Sequence, residues 1–157
     1  MKTRAAQALD KLGIPYKIRE FLEEDLGADE VAEKLHTPLA QVFKTLVVRG
    51  DRTGVMLACV PGTMTLNLKA LARASGNRKV EMAEKDEIHR LTGYIRGGVS
   101  PLGGKKEYPV FVDQSALEQP IVSVSAGMRG MQLFLTPQDL VRATQATVVP
   151  IGEESQT

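Results

Sequence analysis

Apolar positions recur along this chain with two different periods. At helical spacing, Ala5, Leu9 and Leu12 mark a helix over residues 3–12 stopped by Gly13, and Val31, Ala32 and Leu35 mark a short one over 29–35. The second ends before Thr37-Pro38, because proline disfavours a helical residue ahead of it. Further helices are expected over 67–74, with Asn67 as cap and Gly76 as stop, over 85–91, and over 137–144, where Thr136 caps and Pro137 occupies the first turn. Strand-like segments fill most of the rest. Residues 14–21 alternate, with Tyr16, Ile18 and Phe21 facing inward, and the apolar runs 42–48 and 55–60 are joined by a turn at 49–54 as a hairpin. Short strands are expected over 80–83, 109–112, 121–125, 132–135 and 147–151, and the polar residues 152–157 read as a frayed tail.

Many neighbouring strands are joined by turns too short for a parallel crossover. The pattern therefore predicts an α+β fold, a mixed and largely antiparallel sheet curled into a barrel-like core with surrounding helices. No linker or repeat interrupts it, so residues 1–151 are expected to form a single domain, with 152–157 a disordered tail.

Composition narrows the possible functions. The chain has 157 residues with Lys plus Arg 20 against Asp plus Glu 19, so no strong field favours nonspecific nucleic acid or lipid. One cysteine excludes an internal disulfide framework and a multi-thiolate zinc site, and His36 and His89 leave little for a histidine-based metal site. No apolar run approaches the roughly 18–20 residues that span a bilayer, and the first residues lack the apolar core of a signal peptide. Without GxxxxGK[ST] or a strand-borne GxGxxG, no nucleotide cofactor is expected. The expected compartment is the cytoplasm, with no metal and no cofactor.

Lys44 is the most informative anomaly, a cation within the apolar run Val42-Phe43-Lys44-Thr45-Leu46-Val47-Val48. Alternation puts it on the face of Val42, Leu46 and Val48, where a charge must reach water, meet an anion or line a cavity. The local pattern leaves two readings open, an edge lysine that blocks aggregation or a pocket lysine that holds a phosphate or carbonyl oxygen. The second feature is glycine density. Residues 93–106 hold five glycines and a proline interleaved with apolar and basic residues, and Gly127-Met128-Arg129-Gly130 follows Ser123, Ser125 and Ala126. Such segments serve as turns, or present backbone N–H groups to a phosphate or an ester oxyanion. Cys59, inside Met56-Leu57-Ala58-Cys59-Val60, reads as a buried unreactive thiol.

Taken together, Val42-Phe43-Lys44-Thr45-Leu46-Val47, the loop Gly93-Tyr94-Ile95-Arg96-Gly97-Gly98-Val99-Ser100-Pro101-Leu102-Gly103, Lys105-Lys106, and Ser123-Val124-Ser125-Ala126-Gly127-Met128-Arg129-Gly130 resemble the YbaK/EbsC family. These are stand-alone aminoacyl-tRNA deacylases similar to the editing domain of bacterial prolyl-tRNA synthetases. The opening Ala8-Leu9 to Pro15-Tyr16 also fits, and within the family the chain looks most like the Cys-tRNA(Pro) deacylase branch. The resemblance implies a barrel-like mixed sheet, a key lysine at Lys44, a neighbouring threonine at Thr45, a pocket tyrosine at Tyr16, pocket glycines at Gly97 or Gly98, and a pocket serine at Ser125. Many relatives carry an aspartate where this chain has Gln132, which hydrogen-bonds but bears no charge.

The implied activity is trans-editing, the removal of a wrong amino acid from the 3′ end of tRNA after a synthetase pocket has discriminated too weakly. No nucleophile is evident in the sequence, and the resemblance implies that the thiol of a mischarged cysteine attacks its own ester. Water-dependent cleavage of another misacylated tRNA, such as Ala-tRNA(Pro), and a non-catalytic module binding an aminoacyl or nucleotide end are the alternatives. With a net charge of +1, tight capture of tRNA by this chain alone is not expected, and prolyl-tRNA synthetase is the expected partner.

Overall fold

The computed structural model describes residues 2–22 and 27–154. Thr3 caps α1 (Arg4–Lys11), its hydroxyl accepting from the Ala6 N–H at 3.2 Å, and β1 (Lys17–Glu20) follows Pro15. α2 (Ala28–Lys34) and a 3₁₀ turn (Leu39–Gln41) lead into the hairpin of β2 (Phe43–Gly50) and β3 (Gly54–Pro61). Next come β4 (Met64–Leu66), α3 (Leu68–Ser75) capped by Asn67, β5 (Val80–Met82), and a 3₁₀ turn (Lys85–Glu87) that runs into α4 (Ile88–Thr92). The last third holds β6 (Val110–Asp113), a 3₁₀ segment (Gln114–Glu118), β7 (Val122–Ser125), β8 (Met131–Leu135), α5 (Pro137–Thr144), β9 (Thr147–Val149) and β10 (Gly152–Glu154). Thr136 caps α5 by accepting from the Asp139 N–H at 3.2 Å, as its place before Pro137 predicts.

The hairpin is the spine. β2 pairs antiparallel with β3 and, from Val48 to Gly50, with β5, while β6 runs parallel to both β3 and β9, so the five-stranded sheet has the order β5-β2-β3-β6-β9. Each parallel pair is separated in sequence by helical segments, which supply the crossover that parallel strands require. A three-stranded antiparallel sheet, β1-β8-β7, touches the first through one parallel bridge between Val42 and Ser123, and β4 pairs with β10 alone. The architecture is thus α+β with mixed, largely antiparallel pairing. Among the described residues the strands form these three sheets and do not close a ring.

Strand alternation divides the core in two. Phe43, Val47, Leu57 and Cys59 turn to one face and pack with Leu9, Val124 and Leu140, while Val48, Met56, Ala58 and Val60 turn to the other and pack with Leu71 and Ile151. At about 1.5–3 kcal/mol per buried aliphatic side chain, these two layers hold the sheet that carries the site.

Three expectations from the sequence need correction. All four residues of β1 are exposed, Ile18 included, because this strand lies at a sheet edge and pairs only with β8. Residues 64–66, unassigned from the sequence, form β4. Their partner is β10, within the stretch expected to be a tail: Gly152 pairs with Leu66 and Glu154 with Met64. The buried Asp113 carboxylate fixes that ending, its Oδ1 accepting from the N–H groups of Ile151 (3.0 Å) and Gly152 (2.7 Å). Gly-Glu-Glu has little strand propensity, so a cap and an edge partner far away in sequence decide its conformation. Residues 155–157 of the expected tail lie outside the described residues.

Candidate functional site

β2 carries the site because it is covered unevenly. β5 stops at Val48 and the bridge to Ser123 lies at Val42, so the stretch between them has strand neighbours on the β3 side only. Against that open edge lies a cavity of about 490 Å³, walled by β2 itself, the start of α2, the loop after α4, and the facing ends of β7 and β8. Lys44, Thr45, Gly97, Ser125 and Gln132 all line it.

Lys44 is half-buried, and burial lowers its pKa from the ordinary lysine value, outweighing the opposing influence of the nearby Asp29 carboxylate. Among the described residues it makes no ion pair. Lys44 thus lines the cavity at an uncovered edge stretch of β2. Lys85 and Arg96 add two further cations to the lining, while Phe21, Val31 and Ile88 supply apolar wall.

Thr45 points to the opposite face of β2. Its Oγ1 lies 3.7 Å from the Cys59 Sγ, and Cys59 is fully buried with its thiol pKa pushed up to about 12, mainly by that burial. A thiol so placed is neither ionised near neutral pH nor reachable by a substrate. Ser125 accepts the Gly127 N–H at 3.1 Å, which leaves its own hydroxyl hydrogen available. Gln132 is buried and accepts from the Ser123 hydroxyl at 3.2 Å.

The glycine loop divides at its centre. Gly97, at φ +88°, borders the cavity. Gly98 does not line it: its N–H donates to the Ile95 carbonyl at 2.9 Å, closing a turn, and a Cβ there would stand 3.2 Å from the backbone of Met128 and Arg129. The Gly98 amide is therefore occupied, and its glycine identity serves the close crossing of two loops. Arg129 strengthens that crossing by donating from Nε to the Arg96 carbonyl at 2.9 Å.

Tyr16 is also placed elsewhere. Its hydroxyl donates to Asp10 Oδ1 at 3.0 Å, and its ring packs against the core beside α1. From the same segment it is Phe21 that reaches the cavity. Ser123, Lys85, Arg96 and the α2 wall were not singled out from the sequence. The apolar stripe of α2 was visible, but its target was not, and a buried serine under a glutamine leaves no local signature. A wider groove of about 870 Å³ between α1, α5 and residues 100–109 contains none of the expected site residues.

The chain was compared with known proteins. The model of the aminoacyl-tRNA editing domain matches residues 24–143. EbsC of Enterococcus faecalis, named as a candidate Cys-tRNA(Pro)/Cys-tRNA(Cys) deacylase, is 43% identical over 152 residues, covering 96% of this chain and 93% of that protein. A proline–tRNA ligase of Thermosipho africanus is 37% identical over 78 residues, half of this chain but 14% of the ligase. A crystal structure described as a candidate trans-editing enzyme for prolyl tRNA synthetase superposes with a TM-score of 0.87 at 30% identity, covering 96% of this chain and 95% of that one.

Proposed function

This chain belongs to the aminoacyl-tRNA editing domain family, and from that premise we propose that it is a trans-editing deacylase that clears cysteine mischarged onto tRNA(Pro). The observation that carries the reading is Lys44, a cation without an ion pair among the described residues, half-buried in a cavity that offers hydrogen-bond donors but no reachable thiol nucleophile.

An aminoacyl ester needs little from such a protein when its own side chain is the nucleophile. The cysteine thiol of the substrate attacks the ester carbonyl, forming the S–C bond of a four-membered cyclic thioester. The bond from that carbon to the ribose oxygen breaks, and the thiol proton passes to the departing hydroxyl, directly or through water. Holding the thiol against the carbonyl supplies proximity, and cations and N–H groups stabilise the oxygen as it gains charge. Lys44 binds the polar end of the substrate, the terminal phosphate or the ester oxygen, and Gly97 offers a backbone N–H beside it. Ser125 and Gln132 contact the aminoacyl side chain or the ribose hydroxyls. The sealed Cys59 supports a route in which sulfur comes from the substrate.

The near-neutral charge supports dependence on a partner that already holds the tRNA, and the proline–tRNA ligase relatives point to prolyl-tRNA synthetase. The described chain then serves as one editing domain working in the cytoplasm. No helix among the described residues is long and apolar enough to cross a membrane.

The test is a panel of charged tRNAs incubated with wild type and with Lys44→Ala. Rapid loss of Cys-tRNA(Pro), slow loss of Ser-tRNA(Pro), in which oxygen replaces the attacking sulfur, and no loss with the variant are expected. Equal turnover of alanyl and cysteinyl esters would replace the thiol route by a water-dependent one, and no turnover of any ester would remove the enzyme reading.

A further inference from the structure

Backbone direction along β2 is fixed by two hydrogen bonds. The Val42 carbonyl accepts from the Gly62 N–H at 2.8 Å, so the even-numbered residues of this segment turn their backbone polar groups toward β3. The Val47 carbonyl accepts from the Ala83 N–H at 2.9 Å, on the other side, so the odd-numbered residues turn toward the uncovered edge. Thr45 is opposite Cys59 in the ladder, a pair whose N–H and C=O groups point away from each other. The Thr45 N–H and C=O thus face the cavity side, between the end of β5 and the bridge at Val42, where no described strand is paired with Thr45.

An unpaired donor and acceptor on one residue of a strand edge form a two-point site for another residue. In a hydrogen-bonded antiparallel pair, two residues exchange both bonds, N–H to C=O and C=O to N–H. The aminoacyl group of a charged tRNA has the same N–Cα–C=O sequence as a residue, with an α-ammonium donor at one end and an ester carbonyl acceptor at the other. Moreover, of Gly97 and Gly98 only Gly97 borders the cavity with its N–H uncommitted, because Gly98 has spent its N–H on Ile95. A second N–H is wanted beside the same cavity, and β2 supplies one.

We propose that the backbone of Thr45 recognises the aminoacyl group as an added strand residue. Its C=O accepts from the α-ammonium, and its N–H donates to the ester carbonyl oxygen, completing with Gly97 the pair of donors that holds that oxygen as it becomes negative. This deepens the deacylase reading and rests on it. It gives the site a way to hold any aminoacyl end by its main-chain atoms, which leaves Ser125 and Gln132 to judge the side chain. It also accounts for Lys44 and Thr45 standing side by side. Adjacent strand residues send their side chains to opposite faces, while the backbone between them stays at the edge.

The experiment has two arms. In the first, ¹⁵N-labelled wild type is titrated with cysteine joined through an amide to 3′-aminoadenosine, which cannot be hydrolysed. The Thr45 amide resonance is expected to move downfield on saturation, and the Leu46 amide, committed to β3, to stay nearly fixed. In the second, the peptide bond before Thr45 is replaced by an ester, which deletes the N–H and keeps the side chain. kcat/KM is expected to fall roughly 10²–10³-fold, the range for loss of one oxyanion donor, with an unchanged circular dichroism spectrum. Thr45→Pro repeats the deletion with natural residues, at an edge position where proline is tolerated. A bound analogue that leaves the Thr45 amide unmoved, or a folded ester variant with wild-type kcat/KM, overturns the strand-edge site while the deacylase reading stands. Wild type that neither binds the analogue nor cleaves any charged tRNA overturns both.

Discussion

Ser123 and Gln132 are diagonal neighbours on paired strands, and the serine hydroxyl donates to the glutamine Oε1 at 3.2 Å. Ser123 is wholly buried, so its O–H has to spend its proton inside the protein. The bond therefore selects which end of the amide faces inward and leaves the Gln132 nitrogen as the end offered to the cavity. Ser123→Ala is expected to cost about 0.5–1.5 kcal/mol in urea unfolding and to raise KM for the charged tRNA more than it lowers kcat. Ser123→Thr, which keeps the hydroxyl on a β-branched residue suited to a strand, should restore KM. Equal KM values for all three proteins would show that the pair has no part in substrate positioning.

Lys44 links the site to pH. Burial lowers its folded-state pKa, so the unfolded chain holds this proton more tightly than the folded one. Stability then rises with pH between the lowered value and the ordinary value near 10.5, and below that window the full cost of burying the cation is present. Lys44→Met should accordingly raise the melting temperature at pH 7, with the difference from wild type shrinking as pH rises toward 10.5. The same variant should lose at least about 100-fold in deacylation, as removal of an electrostatic stabiliser does. Thermal melts across pH and a single-turnover assay check both; a melting difference that grows with pH would contradict the sign.

Cys59 should be chemically silent. With its thiol pKa pushed up to about 12 and no exposure, it should resist iodoacetamide at pH 8 in the folded protein and react fully in denaturant. Deacylation should be unchanged after that incubation. Loss of activity in step with carbamidomethylation would put a protein thiol back into the chemistry.

Asp113 is the joint of the C-terminal pairing. Its Oδ2 accepts from the Ser115 N–H at 3.1 Å while Oδ1 takes those of Ile151 and Gly152. Asp113→Ala would strand these donors and is expected to destabilise by about 1–3 kcal/mol, with faster hydrogen exchange in β10 and β4. Since Asp113 does not line the cavity, deacylation at low temperature should stay near wild type. An unchanged urea midpoint would mean that β10 does not depend on it.

Gly127 tests how tightly the loops behind the cavity are packed. At φ +97° it has a conformation that disfavours a side chain, and a Cβ would come within 2.7 Å of the Tyr94 ring. Gly127→Ala should lower the melting temperature by several degrees, corresponding to about 1–3 kcal/mol of strain and overpacking. An unchanged melting temperature would mean that the loop shifts without penalty.

Local periodicity was enough for the hairpin, the caps at Asn67 and Thr136, the face on which Lys44 lies, and the buried state of Cys59. Each depends on neighbours within a few residues, where the geometry of strand and helix leaves few choices. Family resemblance added Thr45, Ser125 and Gln132, and folding brings them to one cavity. What neighbours along the chain could not reveal was which backbone groups remain unpaired. Tyr16 turns to Asp10, the Gly98 N–H is taken by Ile95, and residues 152–154 find β4, because each hydrogen-bonding group goes to the partner that the closed fold brings nearest. The open stretch of β2 at Thr45 exists for the same reason, since it depends on where β5 ends and where Ser123 makes its bridge, and those limits come from packing between segments distant in sequence.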